Sequence, residues 1–211
     1  MKPKQLHCLL SGLEGFEKPN VVLEQYATSP EMAVSIVTCI DEHVGLENKL
    51  VADLGAGCGM LSTAIAAYEP STSILGVEID TAAIEICREN WTEADVEDRC
   101  EILQADVLSS GLLLPKFDLV VMNPPFGTKN NSGLDMQFVK AGLDCLQAGG
   151  SLFSLHKSST RNYILKTGNS WPNIQVECVA ELRWNLPATY KFHKKKSLDI
   201  AVDLLHFRKK I

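Results

Sequence analysis

The chain has no CxxC pair, no apolar run near the ~20 residues of a membrane span, and no repeat or low-complexity tract. Its seven cysteines (Cys8, Cys39, Cys58, Cys87, Cys100, Cys145 and Cys178) are odd in number and scattered. That pattern excludes a disulfide framework and a zinc cluster, so no bound metal is expected. Free thiols in a reducing compartment are expected instead. The only early apolar stretch, Leu6 to Leu10, is shorter than a signal-peptide core and leads into Glu14, Glu17 and Lys18. Localisation to the nucleus and cytoplasm is expected. Positive charge is also in deficit, with 20 Lys+Arg against 26 Asp+Glu and a net charge of −6. As an average, that argues against a nucleic-acid partner. The remaining composition is ordinary: 211 residues, 45% apolar and 22% charged. It predicts a single domain over 1–211 that buries a sizeable core, with 1–45 as a covering segment and helix and 46–211 as the core.

The average hides two unlike parts. Residues 1–156 carry 9 basic and 22 acidic side chains, and residues 157–211 carry 11 and 4. The balances are −13 and +7. Asymmetry of that size points to a face adapted to an anion near the C-terminus.

From about residue 49, strand and helix patterns alternate. Leu50–Leu54 is an apolar run stopped by Gly55. A helix through Leu61 and Ile65 follows, then strands at 73–79, 100–105, 117–122 and 151–156. Phe117 to Met122 is almost wholly apolar, as a strand covered on both faces should be. Helices are predicted at 82–94, with Asp80 at the cap, and at 135–146. Pro30–His43 is a covering helix with Ser29 at its cap and proline at its first position. The runs 174–184 and 198–207 are joined by a polar loop too short for a crossover, so they pair antiparallel. The expected fold class is α/β: a seven-stranded, mostly parallel sheet with a C-terminal antiparallel hairpin and helices on both faces.

Three strand ends carry the ligand chemistry. Asp53-Leu54-Gly55-Ala56-Gly57-Cys58-Gly59 closes the first strand and opens a helix, so its glycines let a ligand approach the backbone. Asp53 would repel a pyrophosphate at this point and suits a cationic or amino-bearing ligand. Glu78 ends the second strand 23 residues after Gly55, near the spacing at which a carboxylate reaches ribose hydroxyls. Asp106, followed by Val107, ends the third and can accept from an adenine amino group. Adenine, ribose, no phosphate and a positive centre together describe S-adenosylmethionine.

Asn123-Pro124-Pro125-Phe126 follows the fourth strand directly. Consecutive prolines fix φ and cannot continue a ladder, so the chain leaves the sheet rigidly. The Asn123 side chain and the Pro124 carbonyl become two fixed acceptors, and Phe126 supplies a flat apolar face. Two acceptors and a stacking plane suit a planar group with an exocyclic NH2. Hydrogen bonds to both N–H groups localise the nitrogen lone pair, and in-line methyl transfer then needs positioning above all. Phe126 would hold a base splayed from its strand.

With these residues in place, the chain resembles the class I S-adenosylmethionine-dependent methyltransferases that modify exocyclic or amide nitrogen. Gly15 to Pro19, Leu23 to Thr28, Asn123 to Asn131, Leu155 to Ser159 and Tyr190 to Lys196 are further similar to the methyltransferase-like protein five family, adenine-N6 methyltransferases of small-subunit (18S) ribosomal RNA. The resemblance implies a Rossmann-like class I methyltransferase fold. It also implies a heterodimer with a small zinc-binding methyltransferase activator subunit. For the cofactor pocket it implies contributions from Gln25, Thr28, Gly55, Cys58, Met60, Glu78, Asp106 and Val107, to which the loop geometry adds Asp53 and Gly57.

Two consequences follow. In such a fold the third strand lies at a sheet edge, so Cys100, Ile102 and Leu103 should form an exposed apolar edge that the activator pairs with. The basic segment Tyr190–Lys196, with Lys191, Lys194, Lys195 and Lys196 around two aromatics, should clamp RNA backbone, assisted by Lys129. Two rivals stay open. A protein glutamine-N5 methyltransferase uses a similar turn, usually with Tyr at the place of Phe126. A Rossmann-type binding module would keep the fold without catalysis.

Overall fold

The computed structural model describes residues 1–109, 112, 114–127, 131–187 and 197–210. In chain order the elements are α1 (Pro3–Leu10), α2 (Pro30–Val44), β1 (Leu50–Leu54), α3 (Met60–Tyr68), β2 (Ser73–Glu78), α4 (Thr81–Glu93), β3 (Cys100–Gln104), β4 (Phe117–Met122), α5 (Leu134–Cys145), β5 (Leu146–Lys157), α6 (Arg161–Asn169), β6 (Ile174–Pro187) and β7 (Ser197–Lys209). The strands form one sheet in the order β3-β2-β1-β4-β5-β7-β6. The first five run parallel, and β7 is antiparallel to both β5 and β6. This is the predicted seven-stranded arrangement. Strand order reverses between β1 and β4, which opens a crevice at their carboxyl ends.

Period-2 alternation sorts the central strands onto two cores. Leu119 and Val121 of β4 join Val51, Phe153, Leu155 and the helices α1 to α4 on one face. Val120 and Met122 join Ala52, Leu54, Leu152, Phe207 and the helices α5 and α6 on the other. Both helical caps read from sequence are present. Ser29 Oγ accepts from Met32 N at 3.3 Å with Pro30 at the first helical position, and Asp80 Oδ1 accepts from Ala82 N at 3.1 Å. Each is worth about 1 kcal/mol.

Several expectations are corrected. Two helices, α1 and α6, occupy segments for which no element was expected. α1 buries only Leu6 and Leu10, and α6 only Ile164 and Gly168. The start of α6 is held by Asp203 of β7, which is fully buried and takes both Arg161 Nε (2.6 Å) and Nη2 (2.7 Å), with Ser158 Oγ at 2.6 Å. Strand β5 begins at Leu146, five residues before the expected start, because its ladder with β4 resumes across an irregularity between Phe117 and Leu119. β3 is an edge strand as expected, but its apolar side chains are not all exposed. Cys100 is buried and Ile102 packs on the core, leaving Leu103 outward at 38% exposure. Alternation turns every second residue inward, so what the edge exposes is mainly unpaired backbone.

Candidate functional site

The crevice at the ends of β1 and β4 opens into a solvent-accessible cleft. The glycine loop forms its floor. Gly55, Gly57 and Gly59 all take positive φ (76°, 56° and 77°). Two of them also need the missing side chain. A Cβ on Gly59 would lie 2.5 Å from Cys87 Sγ, and one on Gly57 would lie 2.9 Å from the Phe16 ring. The loop is tied to β2 by Gly55 N and Ala56 N, which donate to Val77 O at 2.8 and 3.1 Å. Buried Asn90 of α4 fixes it from behind. Its Nδ2 donates to Cys58 O (2.8 Å) and Glu14 O (2.9 Å), while its Oδ1 accepts from Glu14 N (2.9 Å). One amide thus fastens both the glycine loop and the N-terminal segment that crosses it.

All ten residues expected at the cofactor line this cleft: Gln25, Thr28, Asp53, Gly55, Gly57, Cys58, Met60, Glu78, Asp106 and Val107. Glu78 takes three backbone donors, Gly57 N on Oε2 (2.8 Å) and Ile79 N and Asp80 N on Oε1 (2.8 and 2.9 Å). It therefore shapes the loop as well as facing the cleft. Asp53 is 1% exposed, and burial pushes its carboxyl up to about 7, against the pull of Ser62 N, which donates to Oδ2 at 3.1 Å. Asp106 Oδ1 accepts from Leu108 N at 2.9 Å, so it serves the turn as well as lining the cleft. Gln25 uses both ends of its amide: Oε1 accepts from Asn20 N and Nε2 donates to Asp80 Oδ2, each at 2.7 Å. Asp80 is thereby both a helix cap and an anchor for the segment that walls the cleft. Burial pushes the Cys58 thiol up to about 12, so it stays protonated at neutral pH.

Asn123, Pro124, Pro125 and Phe126 line the same cleft. Asn123 Nδ2 donates to Thr28 Oγ1 at 3.1 Å, so its Oδ1 is the end available to an incoming N–H. Trp184 of β6 meets Phe126 edge-on, with ring centres 5.8 Å apart at 87°, and Tyr26 also meets that tryptophan edge-on, at 6.4 Å and 76°. Lys157 Nζ lies 5.7 Å from the Phe126 ring centre. The cleft is lined by four carboxylates (Glu24, Asp53, Glu78 and Asp106) and, among the described residues, by no Lys, Arg or His.

Phe16, Leu23, Glu24, Tyr26, Phe138 and Trp184 also line the cleft, and none of them has a role legible residue by residue in the sequence. They come from the N-terminal segment, α5 and β6. The only signals for them are the motif context of Phe16 and of Leu23–Ala27. Lys129, Lys191, Lys194, Lys195 and Lys196, expected at RNA, lie outside the described residues. Among the described residues no group of His, Cys, Asp and Glu could hold a metal ion, and no helix is long and apolar enough to cross a membrane.

Residues 33–166 match the family model of the methyltransferase small domain. The chain is 57% identical over 211 residues to an rRNA N6-adenosine-methyltransferase of Caenorhabditis elegans, covering 99% of each chain. It is 46% identical to the enzyme of that name from Danio rerio, covering 98% of this chain and 99% of the relative. In fold it is similar to a candidate RNA methyltransferase from Pyrococcus horikoshii, with a TM-score of 0.84, 30% identity and coverage of 100% and 99%. Kinship of this extent, on a cleft with an intact glycine loop and Asn-Pro-Pro-Phe turn, places the chain in the rRNA N6-adenosine-methyltransferase family.

Proposed function

We propose that the protein transfers a methyl group from S-adenosylmethionine to N6 of an adenosine in small-subunit (18S) ribosomal RNA. The observation that carries this reading is the junction of two kinds of surface in one cleft. An acidic floor without a cationic side chain suits a phosphate-free, positively charged nucleoside, and beside it stands a rigid pair of acceptors with a stacking ring. Asp53, Glu78 and Asp106 would hold the cofactor through its cationic and hydroxyl-bearing ends, Gly55 and Gly57 by close backbone approach. When bound, the cofactor supplies a methyl group activated by sulfonium.

The chain's residues do the rest by positioning. Asn123 Oδ1 and the Pro124 carbonyl accept the two N–H groups of the adenine amine and localise its lone pair. Phe126, backed by Trp184, stacks the extruded base. Holding donor and acceptor in line supplies the greater part of the rate gain. Full-length kinship to rRNA methyltransferases favours adenosine over a glutamine amide, and the intact turn favours an enzyme over a binding module. Lys129, Lys191 and Lys194–Lys196 would grip the RNA backbone. A small zinc-binding activator would complete the sheet at β3, whose outer edge pairs with no other strand among the described residues. Asn123→Ala tests the acceptor role: methyl transfer should be lost while S-adenosylhomocysteine binding, measured by calorimetry, persists. Retained transfer would refute the assignment.

A further inference from the structure

Asn131 lies beyond the catalytic turn and outside the lining of the cleft, yet its contacts converge on both. Its Nδ2 donates to Val22 O at 3.3 Å and to Glu24 Oε1 at 3.1 Å. Both partners belong to the turn of the N-terminal strap. That turn is built by Asn20, whose Oδ1 accepts from Val22 N (2.9 Å) and whose carbonyl accepts from Gln25 N (3.3 Å). Glu24 holds a positive φ of 51° there, and Leu23 to Thr28 form one wall of the cofactor cleft. The backbone of Asn131 faces the other way. Its carbonyl accepts from Leu134 N at 3.0 Å at the start of α5, and it lies 2.9 Å from where a Cβ on Gly127 would stand. Gly127 directly follows Phe126 and has φ of 69°, so Asn131 stands against the residue next to the stacking ring.

We propose that Asn131 is a positioning residue that docks the acceptor turn onto the cofactor strap. Asn123 is held to the same strap through Thr28, so the strap grips the turn on both sides of Phe126. Displacement of the turn by even an ångström costs a reaction of this kind about two orders of magnitude. This inference rests on the reading of Asn123–Phe126 as the adenine site.

The donor–acceptor chemistry sets the test. The carbonyl and an ionised carboxylate only accept, and Asn131 supplies both donors through one NH2 group. Asn131→Ala removes both bonds. Asn131→Asp loses the donating NH2 group and sets a second carboxylate beside Glu24. Adding Glu24→Gln to Asn131→Asp restores a donor from the opposite side, while Glu24→Gln alone, at a residue that itself lines the cleft, reports what that change does by itself. With the full chain, S-adenosylmethionine and small-subunit rRNA, kcat/KM should fall roughly tenfold for Asn131→Ala and further for Asn131→Asp. The double variant should recover above Asn131→Asp. S-adenosylhomocysteine affinity of Asn131→Ala should stay within about twofold of wild type, and its melting temperature should fall by no more than a few degrees.

Wild-type activity of Asn131→Asp, or a double variant no better than Asn131→Asp, would overturn the proposal. Asn123→Ala, run alongside, separates the two readings. If it stays active, the adenine-site assignment fails. If it is inactive while Asn131→Asp is fully active, only the docking role fails.

Discussion

Replacing Asp53 by Asn should change stability in a pH-dependent way, because this carboxyl is buried where charge is costly. Its ordinary value of 3.8 is pushed up to about 7, chiefly by burial, with the neighbouring charge of Glu78 adding to the effect. Roughly three decades in proton affinity correspond to about 4 kcal/mol. The sign follows from proton binding. Between pH 3.8 and about 7 the folded state holds more protons at Asp53 than the unfolded state, so stability falls as pH rises through that window and stays lower above it. The amide introduced by Asp53→Asn does not titrate and keeps an oxygen for the Ser62 N–H. The variant's stability relative to wild type should therefore improve by roughly 3 kcal/mol between pH 5 and 8, read from urea unfolding at each pH. Ligand binding should run the opposite way. A cationic amino group favours the ionised carboxylate, so S-adenosylhomocysteine should bind wild type more tightly at pH 8 than at pH 6, and the variant should lose that gain. A stability difference that stays flat from pH 5 to 8 would show that Asp53 does not titrate there and would refute the reasoning.

Glu78→Ala should weaken S-adenosylhomocysteine binding by roughly 10- to 100-fold in calorimetry, because it removes a charged acceptor and unpairs three backbone N–H groups; an affinity within twofold of wild type would contradict its role. Replacing Lys194, Lys195 and Lys196 together by Ala should weaken rRNA binding and lower the slope of log affinity against log salt by about 2 to 3, with cofactor affinity kept; an unchanged slope would remove these lysines from the interface. Sedimentation and activity assays address the partner: the chain alone should associate or lose activity, and a soluble, monomeric, fully active chain would rule out a required activator.

The sheet and the site floor were legible because their signals are local. Gly55 to Gly59 sit between an apolar run and a helix, Ser29-Pro30 and Asp80-Thr81 announce caps, and Asn123-Pro124-Pro125 can only end a strand. Helices α1 and α6 were not legible, since each buries two residues and is defined by what packs on it. The walls of the cleft were hidden for a related reason. Asn90 meets Glu14 across 76 residues and Asn123 meets Thr28 across 95, and no spacing rule encodes such contacts. Phe138 and Trp184 look like ordinary core aromatics until the fold turns them toward the cleft. The mean charge of −6 misled for a different reason, since it averages an acidic cofactor floor with a basic C-terminal part.

The central claim is most directly tested by nucleoside analysis of small-subunit rRNA incubated with the protein and methyl-labelled S-adenosylmethionine, with and without the proposed activator subunit. The label should appear in N6-methyladenosine at one mapped position and be absent with Asn123→Ala. Label in another nucleoside, in a protein glutamine, or retained by Asn123→Ala would contradict the account.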